Sequence, residues 1–173
     1  LTRMIAPHLK SNLSDPAVVT CDEVGRYAIS TVSGHEGGAN SLAYIVSSIT
    51  GAAPVITTAT EANKLYIAGI GCRKGASSDD IIEGLQEACE SVYIDISDIR
   101  MIASAWVKKE EQGLIEAAEK LEVYLRFLPK SMYLNKNYNF NVSEAALRNL
   151  GVPSVSEASA ILSGINPEIV KSK

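Results

Sequence analysis

Twice along the 173 residues an apolar run ends in a glycine-bearing stretch that leads directly into a helical pattern. No other feature limits the fold as strongly. In the first instance residues 27–31 read as a strand. Ser33-Gly34-His35-Glu36-Gly37-Gly38-Ala39-Asn40 follows as a loop. Ala39, Leu42, Ala43, Val46 and Ile49 then recur at helical spacing, with Gly51 placed as a C-cap. Residues 54–58 read as the next strand. In the second instance residues 65–70 are continuously apolar, as suits a strand buried on both faces. Gly71-Cys72-Arg73-Lys74-Gly75 follows as a loop. Ser77, with Asp80 three residues on, opens a helix carrying Ile81, Ile82, Leu85, Ala88 and Cys89. Strands joined through helices run parallel. The expectation is an α/β protein of two small three-layer domains, 1–63 and 64–173, with largely parallel sheets.

The remaining segments fit around these units. Residues 16–20 read as a short strand that turns at Asp22, Glu23 and Gly25 into the strand at 27. Residues 101–107 and 123–128 read as strands, the second stopped by Pro129. Between them Leu114, Ile115, Ala118 and Leu121 mark a helix over 112–121. Residues 130–141 read as loop. Two short helices, near 143–149 and 155–163, are separated by Gly151 and Pro153. No charged residue occurs between Gly37 and Thr60, a span long enough to cross a bilayer. Its glycines, Pro54 and threonines divide it into helix, turn and strand, so it reads as the core of a soluble protein.

Charge and cysteine content narrow the function classes. The formal net charge is −4, so neither nucleic acid nor an anionic membrane is the expected partner. Cys21, Cys72 and Cys89 are odd in number and lack CxxC spacing, which points to a reducing, cytoplasmic setting without disulfides or a metal site. The sequence holds no HExxH, GxSxG or GxxxxGK[ST] pattern.

Both glycine loops lie where a parallel strand ends and a helix begins, beyond the carboxyl edge of the sheet, where ligands collect in such folds. Unpaired helical N–H groups and a positive dipole end favour phosphate or carboxylate there, and glycine lets a ligand approach. Arg73 and Lys74 add positive charge. A purely structural strand–turn–helix role is the alternative for this second loop. Gly69-x-Gly71-x-x-x-Gly75 also approaches the dinucleotide fingerprint, but its spacing is one residue out and Asp95 comes late for the ribose. His35, flanked by glycine pairs, is the candidate general base. Cys72 sits where cationic neighbours lower a thiol pKa, although a small residue packed under the loop is the plainer account. Lys108-Lys109-Glu110-Glu111 reads as a solvated turn, and Trp106, Tyr133 and Tyr138 as packing or surface residues.

Several motifs together resemble the CbiG family of cobalamin biosynthesis. Asp-Pro-Ala-Val-Val at 15–19, Asp-Glu-x-Gly-Arg at 22–26, Ser-Gly-His-x-Gly-Gly-Ala-Asn at 33–40 and Pro-Val-Ile-Thr-Thr-Ala-Thr at 54–60 are similar to its N-terminal region. Gly-Ile-Gly-Cys-Arg-Lys-Gly at 69–75, Lys108 with Glu111-Gln112-Gly113-Leu114, and Gly-Val-Pro-Ser-Val-Ser-Glu-Ala at 151–158 are similar to its C-terminal domain. The stand-alone relative of that domain, CobE, shares the Gly-Ile-Gly-Cys-Arg part.

The resemblance implies a hydrolase acting on a carbon–carbon bond. It opens the δ-lactone of cobalt-precorrin-5A and releases acetaldehyde. The implied partner is a cobalt-corrinoid small molecule that carries its own metal, so no separate cofactor is implied. A homodimer or other pathway enzymes are further partners to look for. The expected binding residues are Ser33, Gly34, Gly37, Gly38, Asn40, Gly69, Gly71, Cys72, Arg73, Lys74 and Gly75. From the loop chemistry, and not from the resemblance, His35 is the candidate base and the Gly37 and Gly38 amides are candidate oxyanion donors. A non-catalytic corrinoid carrier is the alternative, and a nucleotide-binding oxidoreductase a third reading. The sequence departs from the family in two places. The family's N-terminal region begins earlier, and only Glu61-Ala62-Asn63-Lys64 stands where members carry a middle segment. Segments are therefore expected to be missing before residue 1 and around 61–65. Glu36 also replaces an expected apolar residue.

Overall fold

Small residues, rather than the largest apolar ones, decide how the first crossover helix meets its sheet. The computed structural model describes residues 2–11, 13–134, 138–164 and 167–170. Two compact units divide the chain, Leu1–Asn63 and Lys64–Lys173. The first opens with a single helical turn, α1 (Thr2–Ile5), and then forms β1 (Val18–Cys21), β2 (Tyr27–Val32), α2 (Ala39–Thr50), β3 (Ala53–Val55) and α3 (Ala59–Ala62). The strand order is β1-β2-β3, with β2 and β3 parallel across the α2 crossover. β1 joins β2 antiparallel, because the turn at 22–26 is too short for a crossover. Asp22 closes that turn by accepting the Tyr27 amide at 2.8 Å and Arg26 Nε at 3.0 Å.

The buried face of α2 is Ala39, Asn40, Ala43, Tyr44 and Ser47. Ile49, counted in the apolar stripe by spacing, is 69% exposed instead. Ala39 and Ala43 lie fully buried where α2 packs against β2. Ser47 Oγ then donates to the Ala52 carbonyl at 2.7 Å, and Gly51 ends the helix at φ +82°.

The second unit is fully parallel. It contains β4 (Tyr66–Gly69), α4 (Ser78–Glu90), β5 (Ile99–Ala105), α5 (Gln112–Lys120), β6 (Tyr124–Leu128), α6 (Lys130–Tyr133), α7 (Glu144–Leu150) and α8 (Ser156–Ser163). The order is β4-β5-β6, so β5 is central and buried along nearly its whole length. One face of the sheet packs Ala68 and Ile102 against Ile81, Leu85, Leu114 and Ala118 of α4 and α5. The opposite face packs Ala103 and Ala105 with Tyr133, Ala146, Val152 and Ala158. This is a three-layer α/β arrangement, and each fully buried large aliphatic side chain contributes roughly 1.5–3 kcal/mol. Part of the 130–141 stretch, read as loop, is the helical turn α6, and 135–137 lie outside the described residues. Among the described residues no helix is long and apolar enough to cross a membrane.

Candidate functional site

The first glycine loop is tied down by its own polar groups. Beyond β2, Ser33 takes φ +56°, a left-handed conformation unusual for a residue with a side chain. Its hydroxyl is buried, with no partner among the described residues. The first amides of α2 are capped from within: Ala39 N–H donates to the Ser33 carbonyl at 3.1 Å and Asn40 N–H to the Gly34 carbonyl at 2.9 Å. Gly38 N–H donates to the His35 carbonyl at 3.3 Å, which engages one of the two amides expected to face an oxyanion. Asn40 is 1% exposed, accepts from Ser30 Oγ at 2.8 Å and donates to Thr58 Oγ1 at 3.1 Å. It links β2, α2 and the segment after β3. A Cβ on Gly34 would press on Thr58 at 2.8 Å, and one on Gly37 would collide with Ser33. Gly34, Gly37 and Asn40 thus shape the loop, and His35 and Glu36 are its exposed residues.

The second loop forms one wall of a cleft. A space of about 1170 Å³ runs along the free edge of β4 between α4 and α8. Gly69, Gly71, Cys72, Arg73, Lys74 and Gly75, all singled out from sequence, line it together. Their roles differ. A Cβ on Gly69 would strike the Ser156 carbonyl and Ala160, so Gly69 lets α8 lie close on β4. Gly75 supplies a turn at φ +76° with open space around it. Arg73 and Lys74 are exposed, and neither is held in a salt bridge by a described residue. Ser104 Oγ fixes the root of the loop by donating to the Ile70 carbonyl at 2.7 Å.

The helix behind this loop offers little to an outside anion. Ser77 Oγ accepts the Asp80 amide at 3.1 Å, and Asp79 and Asp80 already answer the dipole in the first turn. Lys120 crosses from α5 to Ser78 Oγ at 2.9 Å and Asp79 at 2.7 Å. The positive charge of the loop therefore comes from Arg73 and Lys74 more than from the helix end, while Arg100, Asp80, Glu157 and Glu168 also line the cleft. Cys72 is half-buried, and burial pushes its thiol up; Lys108 opposes this and Glu111 adds to it. The lowered thiol pKa suggested by the cationic neighbours is thus reversed by desolvation.

The sequence reading missed three residues that hold the loop. Glu111 accepts the Gly75 amide at 2.6 Å through Oε1 and Lys108 Nζ at 3.0 Å through Oε2. The Lys108 side chain is only 15% exposed and that of Glu111 10%. These bonds hold the Glu111 carboxyl below its usual range, the Gly75 amide first and Lys108 next. Gly113 completes the contact, since a Cβ there would overlap the Ala76 carbonyl. The Lys-x-x-Glu spacing and a glycine early in a helix were the available signals. The dinucleotide reading gains nothing here: Asp95 caps a short turn by accepting the Ser97 amide at 2.8 Å. Among the described residues no group of three or more His, Cys, Asp and Glu side chains could hold a metal ion.

Fold and site together define an α/β protein whose parallel-sheet unit presents a basic glycine loop to a large cleft. The chain belongs to the CbiG family: the profile "Cobalamin synthesis G C-terminus" matches residues 66–173, and "Cobalamin synthesis G N-terminal" matches 1–61. It is 51% identical over 63 residues to the cobalt-precorrin-5A hydrolase of Salmonella typhimurium, covering 36% of this chain and 18% of that protein. It is 52% identical over 64 residues to the Priestia megaterium protein of the same name, covering 37% and 17%. These matched stretches span less than a fifth of either relative. The crystal structure of CobE, a protein from the cobalamin (vitamin B12) biosynthetic pathway, is similar with a TM-score of 0.53 and 32% identity, over 57% of this chain and 70% of that one.

Proposed function

We propose that this chain acts on cobalt-precorrin-5A, hydrolysing its δ-lactone and releasing the two-carbon fragment as acetaldehyde. The carrying observation is the union of a family match along both units with a cleft whose loop presents two exposed cations, Arg73 and Lys74. Cobalt-precorrins bear several carboxylate arms, and a guanidinium binds a carboxylate through two parallel hydrogen bonds. A cleft of about 1170 Å³ suits a macrocycle better than a small metabolite. In this reading 1–63 is part of the family's N-terminal domain and 64–173 its C-terminal, CobE-like domain. Cobalt arrives with the substrate, the setting is cytoplasmic, and no resident cofactor takes part.

Lactone opening adds water across the acyl–oxygen bond. The water's proton goes to a base, and the carbonyl oxygen carries negative charge in transit. Acetaldehyde leaves when the freed hydroxyl loses its proton and becomes the aldehyde carbonyl, while the carbon–carbon bond to the macrocycle breaks and its electron pair stays on the macrocycle, which takes up a proton. His35 is the proposed base: it is an exposed residue of the first loop, and imidazole is the side chain that most often serves as general base. Ser33, Gly34, Gly37, Gly38 and Asn40 act by setting the loop's shape. The test is acetaldehyde release from cobalt-precorrin-5A by the full chain. Release abolished in Arg73→Ala and His35→Ala supports the assignment. Binding of the corrinoid without any acetaldehyde supports the carrier reading in its place.

A further inference from the structure

We propose that Glu111, anchored by Lys108, is a positioning residue for the ligand-binding loop. It fixes residues 71–75 so that Arg73 and Lys74 stand at the cleft. The inference rests on reading that loop as the carboxylate-binding element.

Three observations carry it. First, both oxygens of one carboxylate are used, one by the Gly75 amide and one by Lys108 Nζ. A bond between positions 36 residues apart joins the β4–α4 loop to the β5–α5 loop. Second, neither Lys108 nor Glu111 lines the cleft, whereas residues 71–75 all do. The pair therefore touches the loop without sharing its ligand surface. Third, the approach is built in covalently. Gly113 admits the Ala76 carbonyl to a place a side chain would fill, and Gly75 turns the chain at φ +76°, a left-handed conformation that favours glycine. Without the carboxylate the loop would keep its glycines and lose the side-chain bond that Glu111 makes to Gly75.

The groups facing Glu111 are Lys108 from the turn before α5, and Lys74 and Cys72 from the loop itself. A loop pinned in advance loses less freedom when a ligand binds. The experiment uses the full chain, with wild type, Glu111→Ala, Glu111→Gln and Arg73→Ala. Each is titrated with cobyrinic acid, a cobalt corrinoid bearing free carboxylates, while the Gly75 amide is followed by NMR hydrogen exchange. Glu111→Ala is expected to weaken binding roughly tenfold and to unprotect the Gly75 amide. Glu111→Gln, which keeps an acceptor oxygen, is expected to restore part of both. If Arg73→Ala weakens binding while Glu111→Ala binds as wild type, the positioning role is overturned and the site reading stands. If wild type does not bind the corrinoid, the site reading falls; unchanged Gly75 protection in Glu111→Ala would then remove the clasp as well.

Discussion

Glu111 Oε1 lies 2.6 Å from the amide nitrogen of Gly75, and that bond ties together two crossover loops at the carboxyl edge of a parallel sheet. The same edge carries Arg73 and Lys74. Loop conformation and cleft chemistry are therefore coupled through a carboxylate outside the cleft.

Acid should loosen this tie. Glu111 is held below its ordinary value of 4.5, chiefly by the Gly75 amide and then by Lys108. A depressed carboxyl contributes stability that is present above the unfolded value and lost as pH falls through the folded one. Urea unfolding of wild type and Glu111→Gln should differ at neutral pH, and the difference should shrink as pH drops below 4.5. A gap that widens in acid would contradict the assignment.

Glycines in the second unit should answer differently to the same substitution. Gly69→Ala places a methyl against the Ser156 carbonyl and Ala160. It should cost about 3 kcal/mol and disturb α8. Gly84, inside α4, has open space around it, so Gly84→Ala should stabilise by roughly 0.5–1 kcal/mol. Denaturation curves of the two variants provide the comparison, and equal effects would mean that α8 does not rest on β4 as described.

The path from sequence to structure was clear for some elements and closed for others. Strand–loop–helix order was readable because apolar runs and glycine breaks are local signals. The face of α2 was legible only in part: spacing placed Ala39 and Ala43 correctly but counted the exposed Ile49, while Asn40, Tyr44 and Ser47 complete the buried face. The β1–β2 pairing followed from turn length, which outweighed the parallel pattern of the other strands. The 108–111 charges looked solvated, since sequence cannot show that Gly75 waits opposite Glu111. Tyr133 could be packing or surface on sequence alone. It is 3% exposed and paired with Ser159 Oγ at 2.5 Å, a partner brought in by α8.

Cys72 should behave as a sluggish thiol. Burial raises its pKa, so little thiolate is present at neutral pH. Alkylation with iodoacetamide should label exposed Cys21 well before Cys72, and Cys72 labelling should accelerate as pH rises. Cys72→Ser should retain corrinoid binding. Faster labelling at Cys72 than at Cys21 would revive a nucleophilic role.

The core of the second unit should depend on α5. Leu114 is fully buried between α4 and the sheet. Leu114→Ala should lose about 2–5 kcal/mol in urea unfolding, a range set by how far the site collapses. A loss well below that range would place Leu114 outside the core.

The most direct measurement is a spectroscopic titration of the full chain with cobyrinic acid, for wild type and for the double variant Arg73→Ala/Lys74→Ala. Both side chains are exposed, so the variant should fold as wild type does. Wild type should perturb the corrinoid spectrum at saturation and weaken steeply with added salt, whereas the variant should bind at least about tenfold more weakly. Superimposable curves for the two proteins would contradict the assignment of this loop as the carboxylate-binding element.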